Sequence, residues 1–435
     1  MYFVYNLLLS LTTIFILPVF IAYAFIKGKN REGLKERFGF ISHHIAKDPS
    51  LKPRLWIHAC SVGEVSVIKP IISEIKRVLP CSYIIVSNTT KSGHDLAKQE
   101  LKDASAYLFF PLDLWCVVKR VLKIASPDII LVSETEIWPN FLKAAKGLGI
   151  KTILVNGRIS PRSFNGYIKI RPFFKKVLKN FDILSMTSKG DAKRVIAMGA
   201  PCERVFINGN TKYDRITDLT HLSFEEEIKE ILHVSKEDKV FIAGSTRRGE
   251  EEIIIEAYLK FTHIYPDMLL VLAPRHIDRT EEIKELLRQN KLEFVMKTDL
   301  DNGKSKRDRK VIIINTIGDL FKIYSIGTIV FCGGSLVPLG GQNILEAAAW
   351  GKVVFYGPSM EHFLDSKEIL ESVGAGIEVK DANDLVNKSL ELLKDQGRLY
   401  ALGKAGREAA LAKRGAAKRN AELTRALLEE RIIRE

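Results

Sequence analysis

The chain has few cysteines for its length: five among 435 residues (Cys60, Cys81, Cys116, Cys202 and Cys332), odd in number, scattered and without CxxC spacing. Neither a disulfide framework nor a zinc site is suggested, and buried thiols in a reducing compartment are the simpler reading. Several nucleotide and hydrolase signatures are missing as well. There is no GxxxxGK[ST] loop, no GxGxxG followed by a suitably spaced acid, and no HExxH. Ser61 lies in SVGE and not in GxSxG, which weakens a nucleophile elbow. No RNP, KH or zinc-knuckle pattern is present, so nucleic acid is not an expected partner. Charge of either sign is missing from Met1 to Ile26.

What is present begins with basicity. Lys and Arg number 66 against 52 Asp and Glu, a formal net charge of +14, which favours an anionic partner such as nucleic acid, a phosphorylated lipid or a membrane surface without choosing among them. With 46% hydrophobic and 27% charged residues, the chain can bury substantial cores in two or three globular units. The run NLLLSLTTIFILPVFIAYAFI matches the ~20 apolar residues that a membrane helix needs. No basic stretch precedes it, whereas Lys27, Lys29, Arg31, Lys35 and Arg37 follow. Residues 1–27 are therefore expected to be a single-pass anchor in the cell inner membrane, with the remainder cytoplasmic. The alternative is a buried N-terminal core helix; Pro18 would kink either one.

Beyond the anchor, RLWIHAC, SYIIVSN, DIILVSE, KTILVNG and FDILSMT alternate with amphipathic segments, and KVFIAGS, MLLVLAP, KVIIINT, TIVFCGG and KVVFYGP repeat the pattern. Such alternation predicts parallel βαβ units, an α/β chain with two doubly wound Rossmann-like domains facing a cleft. The expected bounds are 28–215 and 239–410, with a linker at 216–238 and a C-terminal helix at 411–435. KTDLDNGKSKRDRK reads as a surface loop. Open α/β sheets bind ligands beyond the carboxyl ends of their strands, so strand-end residues become the candidates.

Glu64 follows the first strand at a helix start, where a carboxylate can take a proton from a hydroxyl, and Gly63 before it permits close approach by a ligand. A first-turn acid stabilised by the helix dipole is the plain alternative. Ser133-Glu134-Thr135-Glu136-Ile137-Trp138-Pro139-Asn140 puts two carboxylates and an indole at another strand end, either to hold sugar hydroxyls and stack, or to cap a helix over a buried ring. From Arg158 to Lys179 there are seven basic and no acidic residues, interleaved with Phe164, Tyr167, Phe173 and Phe174; this suits anionic headgroups, or is a solvated helix face. Arg275, after Ala273-Pro274, could fork onto a phosphate. Gly340-Gly341-Gln342-Asn343-Ile344-Leu345-Glu346 could hold a phosphate on helix-start amides and a ribose on Glu346, or be a glycine turn before a core helix.

In order, HACSVGEV, SETEIWPN, NGRISPRSFNGY, GNTKYD, APRH and GGQNILEAAAWGK resemble the 3-deoxy-D-manno-oct-2-ulosonic acid (Kdo) transferases of lipopolysaccharide assembly over essentially the whole chain. The resemblance implies a GT-B fold, an N-terminal membrane anchor, CMP-Kdo as donor, a phosphorylated lipid A precursor as acceptor, and inversion with neither cofactor nor metal. The first domain would then bind acceptor and the second the CMP-sugar. By the same resemblance Glu64 looks like the general base with Gly63 beside it, and Glu134 and Lys212 like transition-state stabilisers, Glu134 being chosen over Glu136 on motif alignment. Pro274, Arg275, Ile317, Gly318, Asp319, Asn343, Ile344, Leu345 and Glu346 resemble the CMP contacts. Two other functions remain open on the residues: a sugar-nucleotide epimerase of the same fold, which would need neither the apolar N-terminus nor the aromatic-basic stretch, and a non-enzymatic basic membrane scaffold.

Overall fold

A computed structural model describes residues 1–27, 33–41, 45, 51–214, 222–235, 237–301 and 309–434. The chain divides into two compact units: Met1–Asp214 with Arg414–Glu435, and Arg215–Lys413.

The first unit is built on a seven-stranded sheet of β1 (Arg54–His58), β2 (Tyr83–Asn88), β3 (Ala106–Phe109), β4 (Ile129–Ser133), β5 (Lys151–Gly157), β6 (Ile183–Met186) and β7 (Val205–Ile207). Every pairing is parallel, in the order β3-β2-β1-β4-β5-β6-β7. Strands β1, β2 and β4 are buried along their full length, as uninterrupted apolar runs require. Their two-residue period sorts side chains onto two cores. Trp56, Ile85 and Ile130 face one, while Leu55, Ile57, Ile84, Ile129 and Leu131 face the other.

Helix α1 (Tyr2–Lys27) opens this unit, and α2 (Val62–Val78) follows β1. Val65, Ile68, Ile72 and Ile75 of α2 recur at helical spacing and are buried in the second core. After β4 and β5 come α3 (Pro139–Gly147), α4 (Pro161–Lys169) and α5 (Arg171–Leu178).

Among the described residues no helix is long and apolar enough to cross a membrane, so the single-pass anchor expected of residues 1–27 finds no support. What the start of α1 does instead is dock. Tyr2 and Tyr5 each pack on Phe173 at 5.6 Å between ring centroids, Tyr5 donates to Asp113 (2.8 Å), and Asn6 accepts from Asn140 (2.6 Å). Phe3, Leu7, Leu8, Leu11, Ile14 and Phe15 are exposed. The aromatic-basic stretch also differs from its reading. Phe173 and Phe174 are buried core residues, so the aromatics hold α5 down while Lys169, Lys175 and Lys176 point to solvent.

The second unit repeats the plan with β8 (Val240–Thr246), β9 (Leu269–Pro274), β10 (Phe294–Met296), β11 (Val311–Ile313), β12 (Ile329–Cys332), β13 (Val354–Tyr356) and β14 (Gly376–Glu378), all parallel, in the order β10-β11-β9-β8-β12-β13-β14. Helix α6 (Glu251–Ile264) follows β8, and the single turn α7 (Leu345–Ala348) precedes β13. Lys297–Asp301, read as loop, is a short helix whose Lys297 is buried and paired with Asp301 (2.7 Å) and Asp319 (3.1 Å).

One continuous terminal helix was expected over 411–435. Helix α8 (Gln396–Leu411) instead ends within the second unit, Gly415 takes φ +85° at the break, and α9 (Ala416–Arg434) returns to pack along α2. Asp214 fastens this return by accepting from the backbone N–H of Gly415 (2.5 Å) and Ala417 (2.6 Å).

Candidate active site

The strand order reverses between β1 and β4 in the first unit, and in the second the chain crosses from one side of the sheet to the other between β8 and β12. Loops diverge there, leaving the carboxyl ends of the flanking strands open to a ligand.

At the first reversal, β1 runs out through Ala59 and Cys60 to the α2 N-cap Ser61, so Glu64 falls in the first turn. Its carboxylate is turned back and buried, accepting from the Cys60 backbone N–H (2.9 Å) and from Ser133 Oγ at the end of β4 (2.5 Å). Burial pushes the Glu64 carboxyl up to about 7, the two hydrogen bonds pull it down, and the nearby carboxylates of Glu136 and Glu134 push it up again. A group that shares its proton near neutrality suits general base work. The plain alternative is met in the same atoms, because Glu64 is an acid in the first turn of α2 and its bond to the Cys60 N–H ties down the helix entry. Gly63 is exposed, and a Cβ there would meet nothing closer than Ser61 Oγ at 3.9 Å, leaving its outer side open to a ligand.

Around Glu64 the fold gathers Glu136 and Trp138 of the second motif together with His58 and Cys60, which the sequence reading did not single out. Burial pushes Glu136 up, but the His58 imidazole and the Trp138 indole N–H (2.9 Å) hold it below the ordinary carboxylate range. His58 is fully buried, stacked on Phe110 at 3.8 Å, with Nε2 3.6 Å from Glu136 Oε2. The Cys60 thiol is pushed up to about 11 by burial and then by Glu136. Trp138 is half-buried against Phe110 (5.4 Å) and bonded to Glu136, so much of its face is already engaged. His58 and Cys60 lie inside the HACSVGE motif; nothing in their spacing marks them, because their meeting with Glu136 is a contact between β1 and β4.

Glu134 leaves β4 in the left-handed region (φ +51°), its N–H donating to Val155 O (3.0 Å). Asn156, after it on β5, is also left-handed (φ +53°), and its side-chain oxygen accepts from the Thr211 N–H (2.9 Å). Non-glycine residues at such angles cost about 1–3 kcal/mol each and cluster at functional sites. The turn Thr211–Tyr213, capped by Asn210, delivers Lys212 Nζ to 3.5 Å from Glu134 Oε1. Glu134 and Lys212 thus form one partly exposed pair, and Glu136 belongs with Glu64.

In the second unit, Pro274 ends β9 and Arg275 follows with an exposed guanidinium and its N–H donating to Thr246 O (3.0 Å). Ile317 is 85% exposed and Gly318 takes φ +99°, a conformation reserved for glycine. Burial raises the Asp319 carboxyl, but Thr316 Oγ1 (2.5 Å) and Lys297 hold it below the usual range. Asn343 Nδ2 donates to Glu346 (3.1 Å). Two expectations need correction here. The helix beyond the glycines is one turn only, and the Ile344 and Leu345 side chains are fully buried in the core, so a ligand could meet no more than their backbone.

The residue that organises these loops is Glu250, which the sequence reading passed over in STRRGEEE. Fully buried, its carboxylate accepts from the backbone N–H groups of Arg247 (2.9 Å), Gly334 (2.6 Å), Ser335 (2.9 Å) and Leu336 (2.8 Å). It ties the β8 exit to the β12 exit. Gly333 is required beside it, since a Cβ would lie 2.7 Å from Ser245 O.

Two parallel seven-stranded doubly wound units with polar residues gathered at these strand ends define a protein of GT-B-type fold. Solved structures agree on that fold. A UDP-GlcNAc 2-epimerase from Neisseria meningitidis matches 86% of this chain and 100% of its own with a TM-score of 0.60 at 14% identity. A glycosyltransferase from Rickettsia africae matches 87% and 99% with a TM-score of 0.59 at 16% identity.

The sequence narrows the class. A family model described as 3-deoxy-D-manno-octulosonic-acid transferase matches residues 32–215. The 3-deoxy-D-manno-octulosonic acid transferase of Haemophilus influenzae is 31% identical over 404 residues, 92% of this chain and 93% of that protein. The chain belongs to the Kdo transferase family, a family of glycosyltransferases.

Proposed function

We propose that this chain transfers Kdo from CMP-Kdo to a phosphorylated lipid A precursor in lipopolysaccharide biosynthesis, with inversion and with no metal in the catalytic step. The observation that carries the reading is Glu64, a carboxyl buried at a strand-order reversal that exchanges its proton near pH 7. As the acceptor hydroxyl attacks the Kdo anomeric carbon, its proton passes to Glu64 and the bond from that carbon to the CMP phosphate breaks. Ser133 and the Cys60 N–H hold the carboxylate in position for that transfer. The Glu134–Lys212 pair presents a cation to the Kdo carboxylate as charge shifts toward the leaving group.

In the second unit, exposed Arg275 suits the CMP phosphate, Gly318 lets backbone approach closely, and Asn343 with Glu346 offers acceptors to ribose hydroxyls. The acceptor is a lipid, and the exposed apolar side chains of α1 together with the solvent-facing lysines of α4 and α5 support contact with an anionic membrane surface. That membrane is the inner one in this reading, with both units on its cytoplasmic side. The test is direct: purified protein is incubated with CMP-Kdo and lipid A precursor, and the lipid products are weighed by mass spectrometry. A lipid heavier by whole Kdo residues is the expected product. Release of CMP with no heavier lipid would sink the acceptor assignment.

A further inference from the structure

The residues that surround Glu64 have a second chemistry. Cys60 Sγ, a Glu64 carboxylate oxygen and a Glu136 carboxylate oxygen all lie within 4.8 Å of one another. Beside them, His58 Nε2 is fully buried, makes no hydrogen bond, and sits 3.6 Å from Glu136 Oε2. This buried imidazole nitrogen faces one of the three, Glu136, and is the candidate fourth donor beside the cluster. Its other ring nitrogen, Nδ1, lies 3.1 Å from Ser87 O. In the tautomer in which Nδ1 donates to that carbonyl, Nε2 keeps its lone pair, the arrangement by which ligating histidines are held in proteins. The remaining members are held from behind as well: Glu64 by Ser133 and the Cys60 N–H, and Glu136 by Trp138.

We propose that Cys60, Glu64 and Glu136, with His58 as fourth donor, form a site for a thiophilic divalent cation of the zinc class, and that its occupancy silences the transferase. One sulfur, one imidazole and two carboxylates is a tetrahedral donor set. In such a site neighbouring donor atoms stand ~3.5 Å apart, so Cys60, Glu64 and Glu136 draw together from spacings within 4.8 Å and the His58 ring swings in from beside Glu136. The thiol selects against magnesium and calcium, which prefer all-oxygen shells. The binding step balances: the cation displaces the Cys60 thiol proton and the proton that Glu64 carries below about pH 7, metal–sulfur and metal–oxygen bonds form, and the displaced protons go to solvent. Silencing follows because the Glu64 lone pairs are then committed to the metal; this half rests on the general-base reading above, whereas the binding half does not.

Zinc chloride is titrated into the full-length protein in which exposed Cys81, Cys116 and Cys202 are replaced by Ser, followed by competition with a chromophoric chelator and by X-ray absorption at the zinc edge. One zinc per chain is expected, with one sulfur at about 2.3 Å and the other ligands nitrogen or oxygen. Adding Cys60→Ala should remove the sulfur and weaken binding at least about tenfold, with an unchanged melting temperature as the check on folding. Zinc should inhibit transfer in the wild type, a chelator should restore it, and the inhibition curve of Cys60→Ala should move by the same factor as its affinity. A zinc shell without sulfur, or equal affinity in Cys60→Ala, overturns the site. Binding as described with transfer undiminished leaves the site standing and overturns the role of Glu64 as base.

Discussion

Glu64 meets two opposed demands, since the burial that raises its proton affinity is also a cost to the fold once the group ionises. Its carboxyl titrates near 7 in the folded chain against 4.5 unperturbed. For a raised pKa, the stability present below about pH 4.5 is lost as pH rises through about 7. Two outcomes follow for Glu64→Gln. Turnover should fall by about 10²–10⁴. The variant should also melt above the wild type at pH 8, and that gap should close toward pH 5; a gap independent of pH would mean that the carboxyl does not titrate there. Wild-type kcat/KM should rise with pH through about 7 as the base form appears. Lys212 offers a contrasting case. Its pair with Glu134 is partly exposed, so Lys212→Ala should cost no more than about 1 kcal/mol in urea denaturation. A large loss of turnover on that small cost would mark it as a reacting-site cation, whereas intact turnover would reduce it to a surface pair.

At the scale of elements, the strands legible in the sequence are the five interior ones of each sheet. Those left unread are β3, β7, β10 and β14, the four edges. Interior strands are covered on both faces and so appear as apolar runs, whereas the edges are three or four residues long and only partly buried, with β7 and β14 lacking any fully buried position. Loops between elements were harder still, and Glu250 shows why: its four partners lie on segments as much as 86 residues away. Glu250→Ala leaves those N–H groups unpaired, and a loss of at least about 3 kcal/mol is expected in chemical denaturation. Near-neutral stability would deny Glu250 its organising role. On α4 and α5, Arg171 donates to Ala197 O (2.7 Å) and is structural, so the exposed lysines are the ones to change. Lys169→Ser, Lys175→Ser and Lys176→Ser together should weaken binding to anionic vesicles by about 100-fold at low salt, at roughly 1 kcal/mol per charge, and far less at high salt. A salt-independent effect would point away from headgroup attraction.

At the scale of the whole molecule, the chain leaves the first unit at Asp214, builds the second, and returns at Arg414. The return matters because Ala417, Ala421, Leu427 and Leu428 of α9 complete the core that lies under β1 and β4. Deleting residues 414–435 should therefore abolish native hydrogen-exchange protection in β1 and β4 and leave that of β8 and β12 intact. Protection retained in β1 and β4 would show that α9 is dispensable to that core.

By itself the sequence determined the α/β alternation, the interior strands and the strand-end location of Glu64, Glu134 and Arg275, because burial and turn chemistry are written locally in runs of apolar residues and glycines. Its motif order also determined the family, and the 31% identity across 92% of the chain agrees. Tertiary structure alone decided which carboxylates meet. It joined Glu64 to Ser133 across 69 residues, put Glu136 with His58 and Cys60, and set Glu134 apart with Lys212. It also turned Phe173 and Phe174 inward and brought α9 home to α2. The physical reason is common to these cases: parallel sheets pair strands that are distant in sequence, and the chemistry at a strand-order reversal is made by contacts that no local spacing encodes.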